Sequence, residues 1–259
     1  MSYSFSPAQW AILAFGALVI GVSKTGLGGL GILGVALFAL VLPAKVSTGA
    51  VLPVLICADI VAVTAFRRHA NWPHLIRLFP WACGGVVIGA VSLRYLDNAQ
   101  VSLLIGGMLV VLTLFQFLRR RQADAADDRL PHTRAFAAVM GLAAGFSTMT
   151  ANAAGPIMIL YLLATGLPKM EFIGTGAWFF LVLNLFKVPF SASLGLINGQ
   201  SLLLDAHLGA FAVGGALWGR WLIRFVNQRL FESLALIGAL VSGLKMIGAL
   251  DFVQHLFGR

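Results

Sequence analysis

Lys24 stands between Ser23 and Thr25 and is followed by Gly26, Gly28 and Gly29, inside sequence that is otherwise apolar. A second polar interruption carries Ser147, Thr148, Thr150 and Asn152 and closes on Gly155-Pro156. Between them they supply a full positive charge, hydroxyl and amide donors, and glycine backbone that a ligand can approach closely. That chemistry suits a small oxyanion. The chain is expected to restart as helix near Leu30 and near Pro156, and proline fits the first turn of a helix. Two helix N-termini aimed at one place offer free N–H groups and positive dipole ends, an anion site that needs no metal or cofactor. The expected binding set is Ser23, Lys24, Thr25, Gly26, Gly28, Gly29, Ser147, Thr148, Thr150, Asn152 and Gly155.

Small-residue helix packing would account for one such glycine cluster. It does not account for a lysine at membrane depth, which is costly unless paired, nor for a second break with a different polar set. Asp59 reads as the one acidic residue deep in an apolar stretch, and it could pair with Lys24, carry a proton or bond a helix backbone. Asp59, Asn184 and Lys187 are the coupling candidates. Lys187 lies close to Pro189 and the expected outer surface, where snorkelling competes with a role in attracting substrate. Glu171 reads as a carboxylate at a helix start.

Other chemistries find little support. The histidines are scattered, and Cys57 and Cys83 sit in apolar segments without disulfide or metal spacing. An intramembrane enzyme would need a nucleophile paired with a base, or a metal set, and neither pattern is present; the chain does not read as an enzyme.

The elements that must position these residues are apolar. The chain is 59% hydrophobic and 10% charged, against about 45–50% and about 25% in soluble domains. Apolar stretches cover 10–20, 30–42, 50–66, 75–93, 101–118, 135–144, 157–167, 172–186, 201–222 and 234–250. The longer ones approach the roughly 20 residues a helix needs to cross about 30 Å of hydrocarbon. No alternating barrel pattern occurs, so the spans are helices. The formal charge of +9 sits in short gaps between spans, which fits cytoplasmic loops and not nucleic-acid binding. Tryptophans at 10, 72, 178, 218 and 221 fall near expected span ends, as interface anchors do.

The two halves match as sequence. Gly21 with Ser23 corresponds to Gly145 with Ser147 at an offset of 124 residues. Gly49 pairs with Gly174, Asp59 with Asn184, Gly84 with Gly209 and Gly89 with Gly214 at 125, and Arg94 with Arg220 at 126. The expected fold is therefore an all-α polytopic integral membrane protein with two repeats, 1–118 and 135–259, joined by a basic cytoplasmic linker at 119–134. Each repeat would hold a broken pair of short helices, as a re-entrant hairpin or two short spans, followed by three longer transmembrane helices.

Loop charge sets the orientation. Arg67, Arg68 and Arg77 mark one loop of the first repeat as cytoplasmic, while its counterpart at 191–200 is uncharged. In the next loop the pattern reverses, with Arg220, Arg224 and Arg229 against Arg94 and Asp97. Equivalent loops thus face opposite sides, which is the mark of inverted-topology repeats, with both termini extracytoplasmic.

At its breaks the chain resembles the TauE/SafE family of sulfite exporters and permeases for anions derived from organosulfonates. The resemblance lies in segment 21–31 with its lysine, in Thr48-Gly49 and in Asn152-Ala153-Ala154-Gly155-Pro156, and it extends over the duplicated plan of about residues 8–250. It implies a secondary transporter of the prokaryotic inner membrane, driven by an ion gradient, for sulfite or a small organosulfonate or carboxylate. Alternating access at the interface of the repeats is the expected mechanism, with a passive anion channel as the nearest alternative. Its partners are the small anion and the lipid bilayer, and the plan allows a homodimer. The second break has no lysine of its own, so the sequence points to an asymmetric site centred on Lys24.

Overall fold

The computed structural model describes residues 5–25, 31–122, 134–197 and 199–222, with isolated positions between 237 and 248. Among these residues the regular structure is entirely helical. The order is α1 (Pro7–Thr25), α2 (Gly31–Val41), α3 (Ala44–Phe66) with a 3-10 turn at Arg67–His69, α4 (Trp72–Tyr95), α5 (Asn98–Gln122), α6 (Arg134–Ala151), α7 (Gly155–Ala164), α8 (Lys169–Ser193) and α9 (Gly199–Leu222). Four described segments are long and apolar enough to cross a membrane: Pro7–Thr25, Ala44–His69, Trp72–Tyr95 and Met170–Ser193. This is a polytopic helical membrane protein. The stretch at 234–250 lies largely outside the described residues.

Both breaks fall later than the sequence suggests. The α1 helix continues through Gly21 to Thr25, and α6 continues through Gly145 to Ala151. Gly21 and Gly145 are packing glycines inside helices, not hinges. A methyl group at Gly21 would collide with the backbone of Ala212 and Ala216 on α9. One at Gly145 would collide with the backbone of Ala82 and Val86 on α4. Ser23, Lys24, Thr25, Ser147, Thr148 and Thr150 are therefore helical, near the ends of the first arms. Helix α5 runs through Arg119–Arg121 to Gln122, so the first residues of the hydrophilic joint are helical.

The close contacts recur in pairs. Gly85 abuts Leu142 and Phe146, as Gly215 abuts Leu18. Gly89 abuts Phe146 and Met149, as Gly219 abuts Val22 and Thr25. The first arm of each half thus packs on the second long helix of the other half: α1 on α9, α6 on α4. These contacts keep the 124-residue offset between α1 and α6 but set 130 residues between α4 and α9. The sequence pairing of Gly84 with Gly209, Gly89 with Gly214 and Arg94 with Arg220 is corrected accordingly. Glycines are frequent enough in both helices to match in either register, and only the helix each one touches decides between them.

Chain direction follows from the same contacts. Near its start α3 places Gly49 against Leu196 at the end of α8, and near its start α8 places Gly174 against Phe66 and His69 at the end of α3. The equivalent helices α3 and α8 therefore cross antiparallel, whereas α1 runs alongside α9 and α6 alongside α4 in the same direction. The main apolar cluster joins α4, α5, α6, α7 and α8, including Leu78, Val86, Ile105, Met149 and Phe179. A second one joins α1, α2, α3 and α9, including Leu13, Phe38, Val51 and Leu208.

Candidate anion site at the crossing of α3 and α8

Where α3 crosses α8, four elements bring their polar side chains into one connected network. Lys24, in the last turn of α1, places its Nζ 2.8 Å from Asp59 Oδ1. The end of a helix favours a cation by its dipole, and the ion pair makes the lysine tolerable at depth. Asn184 Nδ2 donates to the other carboxylate oxygen, Asp59 Oδ2, at 2.6 Å. Asp59 and Asn184 are 0% and 1% exposed, so the carboxylate is held by partners and not by water. Phe180, one turn before Asn184 on α8, lies with its ring centroid 4.0 Å from Lys24 Nζ, a cation–π contact.

Lys187 continues the network from α8. It is 1% exposed, and its Nζ donates to Asn152 Oδ1 at 2.6 Å, Thr148 Oγ1 at 3.2 Å and Asn184 Oδ1 at 3.3 Å. These three bonds use all three ammonium N–H groups. The snorkelling expected for this residue is overturned. Proximity to Pro189 suggested a helix end, yet α8 continues to Ser193 and keeps Lys187 inside.

The second break is built around Asn152. Its φ is +51°, the left-handed region that asparagine tolerates better than most residues. Its N–H bonds to Thr148 O at 3.1 Å, closing α6 with a left-handed cap. That turn aims the side chain across the molecule, where Nδ2 donates to Thr48 O on α3 at 2.9 Å. One side chain therefore links α6, α8 and α3. Helix α7 starts three residues later at Gly155, and a methyl group added there would meet open space.

Of the expected set, Lys24, Thr148, Asn152, Asp59, Asn184 and Lys187 meet in this network. Ser23 adjoins it, with its Oγ 3.1 Å from where a methyl group on Gly31 would sit at the start of α2. Ser147 is buried and its hydroxyl has no hydrogen-bond partner among the described residues. Two residues turn elsewhere: Thr25 Oγ1 donates to Ala216 O on α9, and Thr150 Oγ1 donates to Phe146 O within α6. Gly26, Gly28 and Gly29 lie outside the described residues. Glu171 accepts from Asn71 Nδ2 in the first turn of α8. No metal-ligating cluster occurs among the described residues.

Two features were missed. Phe180 reads in sequence as one more apolar residue, and nothing marked it as a lysine's partner. Asp59 is also not the one buried carboxylate among the described residues. Asp205 is 2% exposed, and neither of its carboxylate oxygens has a hydrogen-bond partner among the described residues. It sits one and a half turns into α9, near enough to the helix start to pass in sequence for an end residue.

The expected asymmetry of charge is also revised. Thr148 occupies in the second half the place that Lys24 holds in the first, and the Lys187 ammonium lies on Thr148. Each break therefore has a lysine, one from the broken helix itself and one from α8. A family model described as sulfite exporter TauE/SafE matches residues 13–246. No curated protein and no solved structure gave a match.

Proposed function

This chain belongs to the sulfite exporter TauE/SafE family of membrane transporters, and from that premise we propose that it carries a small oxyanion, sulfite or a small organosulfonate or carboxylate, by ion-gradient-driven alternating access. The observation that carries this reading is the network of Lys24, Asp59, Asn184 and Lys187 at the crossing of two equivalent antiparallel helices. With its ionisable groups charged it holds two cations and one anion, so a bound monoanion would balance it. The start of α7, open at Gly155, offers further N–H donors to such a ligand.

In this mechanism the anion takes the place of Asp59 on Lys24. Asp59 and Asn184 belong to opposite halves, so a change in what Asp59 binds alters the contact across which the halves would rock. A gradient-supplied cation on the released carboxylate would couple the two events. The division into repeats at 1–118 and 135–259 with a linker at 119–134, and the placement in the inner membrane with both termini extracytoplasmic, belong to the same proposal. The antiparallel crossing of α3 and α8 supports it, as does the basic character of the segments beginning α4 and α6.

The test is sulfite flux in proteoliposomes. Accumulation against a sulfite gradient is the expected result, and purely downhill flux would point to a channel. Normal flux in a Lys24→Met protein would overturn the anion-site assignment.

A further inference from the structure

At the end of the molecule where α4 and α6 both begin lies a small, solvent-open cleft lined by His74, Arg77, Arg134, Phe136, Ala137, Tyr161 and Thr165. Both arginines are exposed, and neither is paired with a carboxylate among the described residues. Tyr161 is buried to 3% exposure and its hydroxyl lies 3.3 Å from His74 Nδ1, so the polar wall reaches inward. Two parallel helices start here, adding two positive dipole ends to the two guanidinium groups.

The opposite end gives the comparison. By the contact offsets, Arg134 corresponds to Trp10 and Arg77 to His207. At that end the two rings meet edge to face with centroids 6.4 Å apart. An aromatic contact thus fills one position, while two cations and a cleft occupy its counterpart. Helix packing could be served in either way, and the repeat shows that the first solution was available. The cations also converge from segments far apart in sequence, with Arg67 and Arg68 in the turn between α3 and α4 on the same side.

We infer that the cleft between the starts of α4 and α6 is a second anion site, an antechamber that binds the transported oxyanion at one mouth before it reaches Lys24. Arginine suits the task, since its planar fork meets two oxygens of one oxyanion at once. Helix α6 runs from Arg134 at this mouth to Asn152 at the central network, and α7 returns from Gly155 to Tyr161. The α6–α7 hairpin therefore has the cleft at its open end and the central site at its tip. A basic mouth would raise the local anion concentration and make capture depend on ionic strength.

This inference rests on the anion-transport reading, and two measurements keep the failures apart. In the first, initial sulfite flux from each face of oriented proteoliposomes is followed for the wild type and for R77Q/R134Q. At low sulfite and low salt the double variant should be slower by about fivefold from one face, with the difference closing to under about twofold at high salt. An equal loss from both faces, or one that salt does not relieve, would assign the arginines a structural role and overturn the antechamber. In the second, sulfite is titrated calorimetrically into K24M/D59N, which removes the central ion pair as a pair. A weak residual site that R77Q/R134Q abolishes is expected, and no residual binding would overturn the inference. A wild type that binds sulfite in the cleft but does not move it would instead sink the transport reading.

Discussion

Asn184 Nδ2 donates to Asp59 Oδ2 at 2.6 Å, so two residues that hold the same place in the two halves of the chain touch each other. In the two-repeat arrangement proposed above, a residue in contact with its own counterpart lies on the axis relating the halves. The functional consequence is that a single buried carboxylate faces Lys24 of its own half on one side and the opposite half on the other. Any ligand that competes for Asp59 or Lys24 acts on the axis itself.

The Lys24–Asp59 pair should behave as a unit. Lys24→Met alone leaves a buried carboxylate uncompensated and should cost about 3–5 kcal/mol of stability, as should Asp59→Ala for the lysine. K24M/D59N should recover most of the thermal stability while remaining inactive in flux assays. Thermal unfolding in detergent, read beside proteoliposome transport, checks both halves of this statement.

Lys187 should matter as much as Lys24, although it lies far from either break in sequence. Lys187→Met leaves three acceptors without their donor, and each buried unsatisfied group costs about 1–3 kcal/mol. Lys187→Arg should not restore flux, because a planar fork cannot replace three divergent ammonium bonds. Wild-type flux in the arginine variant would show that charge alone suffices there.

Asn152 has separable backbone and side-chain roles. Asn152→Gly keeps the left-handed turn at little cost but removes the bridge between Lys187 and Thr48. Asn152→Ala loses the bridge and also strains the backbone by about 1–3 kcal/mol. Both should fail in transport, with only the alanine variant showing the added loss of melting temperature from strain.

Glycines test packing against binding. Gly21→Ala and Gly145→Ala force a methyl group into the backbone of a neighbouring helix and should prevent stable folding. Gly155→Ala has open space and should fold normally. If the anion approaches the start of α7, that methyl group should weaken its binding by about 1.5–3 kcal/mol, the worth of a hydrogen bond to a charged group. Equal sulfite affinity in Gly155→Ala and wild type would remove the helix start from the site.

How much of this was legible depends on whether a residue's role is local or shared. Composition and span length fix the membrane class, because an uninterrupted apolar stretch has few other uses. Loop arginines suggest an inverted plan because charge placement records topology. The polar breaks located Lys24 and Asn152, since a lysine and an amide are costly in apolar sequence where nothing requires them. Phe180, Asp205 and the register between α4 and α9 were not legible. An aromatic ring looks apolar whether or not a cation lies over it, and glycines in long helices match in more than one register.

By itself the sequence determined a polytopic helical membrane protein, and it pointed to two related halves, two interrupted helices and a polar set at each break. Only the tertiary structure decided that Gly21 and Gly145 close helix contacts, that Thr25 and Thr150 turn away, and that the second break receives its lysine from α8. The physical reason is that a buried charge is stabilised by whatever neighbours three-dimensional packing supplies. Lys187 and Thr148 are distant in the chain, and nothing in their local sequence records that packing of α8 beside the end of α6 brings them to 3.2 Å.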